Sequence, residues 1–196
     1  MKKGLLIFAA IFTIGFAANA QDGKPSKEGA SKAMVKFGPK AGLNIATVSE
    51  NNASSMVGFH VGGFAEIMIS DKFAVQPEAL YSAQGAKFSG ADLHLDYILV
   101  PVMAKYFVLE GFSVEAGPQI GFLTSAKIKA DGGGTTDVKN LANSTDFAVN
   151  VGLGYSLPMG IMFSGRYNIG VTDTAKNNSG SASRNGVFQL SVGYKF

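Results

Sequence analysis

The sequence contains no cysteine and no tryptophan, and it has only two histidines in 196 residues. Without cysteine the chain can form no disulfide bond and can carry no lipid anchor on an N-terminal cysteine. Its 17 basic and 14 acidic side chains nearly balance, and they form no basic stripe of the kind that nucleic acids bind, so we expect no nucleic-acid partner. Beyond the N-terminal segment no run reaches 18 consecutive apolar residues, so the sequence predicts no membrane-spanning helix.

The first twenty residues have the pattern of a cleaved signal peptide. Lys2 and Lys3 precede an almost unbroken apolar run over residues 4–15, and Ala18 and Ala20 supply the small residues that a signal peptidase recognises. The run is too short to span a membrane. We therefore predict a signal peptide over residues 1–20, followed by a flexible periplasmic leader over residues 21–35.

Glycine and aromatic residues are abundant in the remainder, with 25 Gly, 15 Phe and 6 Tyr in the whole chain, a composition that suits strands better than helices. Apolar and polar residues alternate there, as where Phe37, Leu43 and Ile45 share one face of a strand and Lys40 and Asn44 share the other. Eight segments alternate in this way. Because only helices and closed barrels satisfy every backbone group in lipid, the sequence predicts an all-β fold, an eight-stranded antiparallel up-and-down transmembrane β-barrel over residues 36–196.

The fourth strand, predicted over residues 93–107, has the least regular alternation. Its phase is chosen so that Lys105 faces the interior, because a lysine in lipid costs about 2–4 kcal/mol at the bilayer midplane. Ile98 and Tyr106 then face outward, and Asp96 lies on the outer face near the rim. A bulge near Pro101 would change this phase.

The connections between strands alternate in length. Tight turns are predicted near Ser70, Glu110 and Met159. The longer, polar connections are predicted over residues 49–56, 85–92, 126–144 and 173–185. Since outer-membrane barrels have short periplasmic turns and long outer loops, we predict both termini at the periplasmic end and four outer loops.

Polar side chains on the predicted inner faces form a candidate lumen cluster. Its members are Lys40, Glu66, Gln76, Glu78, Lys105, Glu115, Gln119 and Arg166. Acids and bases buried in a narrow lumen should pair, and an eight-stranded barrel has just enough interior for side chains to fill. We interpret the cluster as a salt-bridged plug; the competing interpretation is a selectivity ring or a proton path.

No pattern in the sequence predicts a catalytic, metal or cofactor site. His60 and Glu66 share a strand face but lie about 20 Å apart, too far to share a metal ion. Some membrane barrels are enzymes that combine histidine with serine and an acid, and Ser82 or Ser164 could supply the hydroxyl beside His60 or His94. We nevertheless predict no enzymatic activity, no cofactor and no metal.

The last strand ends on a row of apolar and aromatic residues with a period of two. The row consists of Phe188, Leu190, Val192, Tyr194 and Phe196. It is similar to the C-terminal signal that outer-membrane assembly machinery recognises. The partners predicted from the sequence are therefore that machinery, outer-membrane lipid and an unknown surface partner of the loops, and we expect a monomer.

Several short stretches together resemble the PorT-like, or porin-family, outer-membrane β-barrel proteins of Bacteroidota. These stretches are KFG at 36–38, KAGLN at 40–44, GFHVG at 58–62, SDKF at 70–73, QPE at 76–78, YSAQGAKF at 81–88, VP at 100–101, KY at 105–106, EAGPQ at 115–119 and RYN at 166–168. One departure is Leu99, where relatives often carry an acid. The resemblance implies a location in the cell outer membrane and a barrel architecture, but no defined activity.

The sequence thus predicts an outer-membrane barrel with a side-chain-filled lumen and a structural or surface-interaction role through its outer loops. The alternative is a narrow porin-like channel for small solutes. A soluble periplasmic lipocalin-like barrel is a further alternative, and it would place its apolar residues inside and its polar residues outside.

Overall fold

The computed structural model describes residues 34–48, 54–130, 132–171 and 185–196. Nine strands and one short 3-10 helix make up most of these residues. The strands are β1 (Val35–Val48), β2 (Ser54–Ser70), β3 (Phe73–Phe88), β4 (Ala91–Leu109), β5 (Phe112–Ala130), β6 (Thr135–Asp137), β7 (Thr145–Ser156), β8 (Ile161–Gly170) and β9 (Asn185–Tyr194), and the 3-10 helix is Lys139–Leu141. Among the described residues, no helix is long and apolar enough to cross a membrane.

Eight of the strands close into a ring. Strands β1 to β5 pair in chain order, β5 pairs with β7, β7 with β8 and β8 with β9, and β9 returns to pair with β1, all antiparallel. The short strand β6 adds to the edge of β5 outside the ring. The predicted eight-stranded antiparallel barrel is therefore confirmed, and β6 is an addition that the sequence did not predict.

The two faces of the wall differ in chemistry, because successive side chains of a strand point to opposite sides. In β1, Lys40 and Asn44 are 2% and 0% exposed in the interior, whereas Leu43 between them is 56% exposed on the outside. The other strands repeat this pattern, with apolar side chains outside. This arrangement is the opposite of a lipocalin-like barrel.

Strand β4 has the predicted phase. Lys105 is buried in the interior and Tyr106 is exposed on the outside. The pairing of β4 with β3 continues without a register shift past Pro101, so the bulge considered there is absent. A bulge lies instead in β5 opposite Asp96, where Thr124 is the extra residue and its hydroxyl donates to the Asp96 carbonyl at 2.9 Å.

Two predicted outer loops are wrong, because their residues continue the strands. Over residues 85–92, β3 and β4 are joined by a turn of only Ser89 and Gly90, and Gly90 has a φ of 90° that favours glycine. Over residues 126–144, β5 continues to Ala130 and the chain returns as β6 and the 3-10 helix. We call residues 84–95, 126–130 and β6 the loop-end sheet. Its charged side chains favour a loop in the sequence pattern, because strands that extend beyond the lipid are also solvated.

The remaining predicted connections are described only in part. Residues 54–56 of the first predicted loop belong to β2, and Asn185 of the fourth begins β9; residues 49–53 and 172–184 lie outside the described residues. The predicted tight turns are present at the opposite end, which also holds Val35 and the C-terminus and is called the terminal end below. The predicted signal peptide and almost all of the leader lie outside the described residues.

Candidate functional site in the barrel interior

Seven charged side chains form one continuous chain of ion pairs in the terminal half of the interior. In order along this ion-pair chain they are Lys40, Glu78, Arg166, Glu115, Lys105, Glu66 and Lys195. The successive nitrogen–oxygen distances are 3.1, 2.7, 2.7, 3.4, 2.8 and 2.6 Å. Cations and anions alternate, so every carboxylate lies between two cations.

Each member of the ion-pair chain comes from a different part of the wall. One residue each is supplied by β1, β2, β3, β4, β5 and β8, and Lys195 follows β9. Strand β7 supplies none of the seven side chains, and two of its glycines leave room for them. A Cβ atom at Gly152 would meet the Gly165 backbone carbonyl and would lie 2.7 Å from Arg166 Cγ, and one at Gly154 would collide with a Glu115 carboxylate oxygen. Glycine in β7 therefore makes room for the side chains that meet there.

The burial of these groups makes their pairing necessary. All seven side chains are at most 7% exposed, and an unpaired charge in such surroundings is strongly unfavourable. Gln76 adds a neutral link, donating to Glu78 at 2.7 Å and accepting from Lys105 at 3.0 Å. The Phe107 ring lies 5.7 Å from Lys105 Nζ and 6.0 Å from Lys195 Nζ. The chain holds four cations and three anions, a net charge of +1.

The structure places all eight residues of the candidate lumen cluster in the interior. Seven of them belong to the ion-pair chain or bond to it, and Gln119 lies apart, accepting from Asn150 at 3.1 Å beside Asn168. Lys195 was left out of the predicted cluster, although it has the same strand parity as Gln189, so the signal was present.

A neutral polar layer lies next to the ion-pair chain. His60 Nδ1 is 2.8 Å from Asn44 Oδ1, and His60 Nε2 is 2.9 Å from Ser191 Oγ. A serine, a histidine and an amide in this order resemble a hydrolase triad. However, Ser191 is only 8% exposed and His60 only 1%, so the serine hydroxyl is enclosed by protein rather than presented to a substrate.

The two serines considered for an enzyme do not meet a histidine in this way. The Ser82 hydroxyl accepts from Asn44 and Gln84, and the buried Ser164 hydroxyl has no hydrogen-bond partner among the described residues. His94 lies on the loop-end sheet, opposite Gly85. Within the described ranges, no group of three histidine or acidic side chains could hold a metal ion.

The loop-end half of the interior contains a buried apolar cluster. It consists of Leu80, Leu95, Tyr97, Leu99, Leu123 and Ala126. Val138 and Ala142, which flank the 3-10 helix, pack against it, and Lys139 Nζ donates to the Thr124 carbonyl at 2.9 Å. This apolar cluster is not among the predicted features, although the inward parity of Tyr97 and Leu99 follows from that of Lys105.

Residues 19–176 match the family model of the outer membrane protein β-barrel domain. The chain belongs to this family. It is an outer-membrane protein, and its architecture is that of its structural relatives. The narrower PorT-like assignment is not part of this match.

Two solved structures illustrate the likeness. Neisserial surface protein A (NspA) has a TM-score of 0.61 at 19% identity, over 82% of this chain and 97% of NspA. Ail, the attachment invasion locus protein of Yersinia pestis, solved with the heparin analogue sucrose octasulfate, has a TM-score of 0.52 at 17% identity, over 83% of this chain and 99% of Ail. At these identities the likeness shows the fold. No curated protein matches the sequence significantly.

Proposed function

We propose that the protein acts at the cell surface through its loop-end sheet, on a barrel whose interior is filled and serves to hold the strands together. The observation that carries this proposal is that two separate groups of side chains lie in the interior of the barrel. The ion-pair chain occupies the terminal half and the apolar cluster occupies the loop-end half. An eight-stranded barrel has little interior beyond what side chains fill.

The loop-end sheet supports the surface role because it continues the wall as paired strands beyond the apolar belt. On its outward face Lys87 lies opposite Asp92 in the strand register, and Asp92 lies opposite Lys129. Both lysines are exposed, and charged side chains suit water rather than lipid. NspA is named a surface protein and Ail an attachment protein, which favours the same class of role here.

Single cysteines test which end of the barrel faces outward, because the chain has no cysteine of its own. We expect Ser89→Cys, in the loop-end turn, to react with a membrane-impermeant maleimide on intact cells. The matched variant Asp71→Cys, in a turn at the terminal end, should react only after the outer membrane is permeabilised. The reverse pattern of labelling would overturn the proposed surface role.

The alternative function is a narrow channel for small solutes. Because the ion-pair chain has a net charge of +1, such a channel would favour anions over cations. Planar-bilayer recording of the refolded barrel separates the two functions. The filled barrel predicts no steady conductance, whereas steady anion-selective openings would contradict the filled barrel and support the channel.

We also propose that the chain is a PorT-like, monomeric, non-enzymatic member of the family with a cleaved signal peptide.

We propose further that the predicted C-terminal row guides assembly in the outer membrane. Support for this assembly role comes from Phe196, whose backbone amide donates to the Phe37 carbonyl at 2.9 Å and whose ring lies 5.0 Å from that of Tyr194. Phe196→Ala should lower the assembled fraction in cells while leaving in vitro refolding intact. An unchanged assembled fraction would contradict the assembly role.

A further inference from the structure

The pairing of the first strand β1 with the last strand β9 closes the barrel, and we call it the seam. Specific interactions must fix the register of the two strands there. On the outer face of this seam Ala41 opposes Val192, Leu43 opposes Leu190 and Ile45 opposes Phe188. A slip of two residues would still place apolar side chains in lipid at each of these positions. Side-chain parity therefore excludes a one-residue slip but does not choose among registers that differ by two.

On the inner face of the seam, three strands meet in one cross-strand row. Gly42 of β1 pairs with His60 of β2 on one side and with Ser191 of β9 on the other. A Cβ atom at Gly42 would lie 2.7 Å from His60 Cε1. Because glycine has no Cβ atom, the His60 imidazole can cross β1, and its Nε2 lies 2.9 Å from the Ser191 hydroxyl.

Asn44 orients this imidazole. Its side-chain amide nitrogen donates to the Phe59 and Ala83 carbonyls at 3.0 and 2.9 Å, so its oxygen is directed to His60 Nδ1, 2.8 Å away. Since the amide oxygen can only accept, Nδ1 carries the proton and Nε2 accepts from the Ser191 hydroxyl. Gln189 of β9 donates to the same oxygen at 3.2 Å, which gives a second link across the seam.

We propose that His60, Gly42, Ser191, Asn44 and Gln189 form a closure latch that sets the register of the last strand against the first. A slip of two residues would place Gln189 or Gly193 opposite Gly42 and would separate His60 from the Ser191 hydroxyl. It would also remove the Asn44–Gln189 bond. These groups are buried, and buried polar groups without partners are unfavourable, so the latch favours the native register, as does the Lys195–Glu66 ion pair that crosses the same seam. This inference goes beyond the proposed function and does not depend on it.

Engineered disulfides test the latch, since every cross-link would come from the introduced pair. The pair Ala41→Cys with Val192→Cys reports the native register. The pair Ala41→Cys with Leu190→Cys reports a two-residue slip. In the native register these two residues are diagonal neighbours about 7–8 Å apart, which do not bridge readily, and only the slip places them directly opposite each other. Each pair is placed in the native background and in the His60→Ala and Ser191→Ala backgrounds, and the barrel is refolded and oxidised.

We expect the slipped pair to give a cross-linked fraction at least ten-fold higher in the His60→Ala and Ser191→Ala backgrounds than in the native one. The matched control is His94→Ala, which removes the histidine outside the latch and should leave both fractions unchanged. Ser191→Thr, which keeps the hydroxyl, should retain the native register. If His60→Ala does not refold, Ser191→Ala decides alone. A lower thermal midpoint of unfolding with no slipped cross-link would show mere packing and would overturn the latch.

Discussion

Replacing Arg166 with methionine removes the side chain that joins Glu78 to Glu115. Its guanidinium nitrogens lie 2.7 Å from each carboxylate, and the side chain is 1% exposed. After the change, Glu78 keeps Lys40 at 3.1 Å, and Glu115 keeps Lys105 at the longer distance of 3.4 Å. Glu115 therefore loses its closest cation, and we expect it to carry most of the cost.

The size of that cost follows from the burial of the two carboxylates. Removing one partner of a buried ion pair typically costs about 3–5 kcal/mol, because the remaining charge is left uncompensated. The cation that remains near each carboxylate places Arg166→Met toward the lower end, at about 3 kcal/mol. Neutralising the carboxylate that is left without its closest cation should reverse part of this loss. The double variant Arg166→Met with Glu115→Gln should therefore be more stable than Arg166→Met by at least about 1 kcal/mol.

Equilibrium unfolding in urea, followed by tyrosine fluorescence in lipid vesicles, measures both free energies of unfolding. Lys129→Met is the matched control, because it removes an exposed cation from the loop-end sheet and should leave the free energy of unfolding nearly unchanged. A loss of less than about 1 kcal/mol in Arg166→Met would refute the reasoning that the ion-pair chain requires each of its cations. So would a double variant no more stable than the single one.

Two further predictions concern packing and use the same unfolding assay. Gly152→Ala should cost about 1–3 kcal/mol, because the added Cβ would meet the Gly165 backbone carbonyl and would lie 2.7 Å from Arg166 Cγ. Gly132→Ala, with no atom within 4 Å of its Cβ, should be neutral, and equal effects of the two changes would contradict the need for glycine at position 152. Leu99→Ala should lower the free energy of unfolding by about 2–5 kcal/mol, because the Leu99 side chain is 2% exposed in the apolar cluster. The control Leu153→Ala, on the lipid-facing side, should lower it less. A larger loss at Leu153 would contradict the importance of that cluster.

The wall of the barrel could be predicted from the sequence because strand geometry alone determines which side chains share a face. Once Lys105 was placed inside, the same parity placed Asp96 outside and Tyr97 inside, and the structure agrees. The count of eight ring strands and the tight turns at one end followed from the spacing of the alternating segments. These features depend on local period and not on which strands meet.

The pairing of interior side chains could not be predicted, because it depends on the stagger between strands and on ring closure. Arg166 and Glu78 belong to strands that are not neighbours in the ring, and their contact crosses the interior. His60 and Ser191 are 131 residues apart in sequence and meet only when β9 returns to β1. Composition identifies such groups as inward but does not say which of them meet.

The two halves of the interior place different obstacles in the path of a solute. In the terminal half, an ion would have to separate members of the ion-pair chain, each of which is already compensated by a partner within 3.4 Å. In the loop-end half, the same ion would pass the apolar cluster, against which Val138 packs, and contact with apolar side chains there would cost it hydration. Opening one half would leave the other closed. A conducting state therefore requires two unrelated rearrangements, which favours the surface role over the channel.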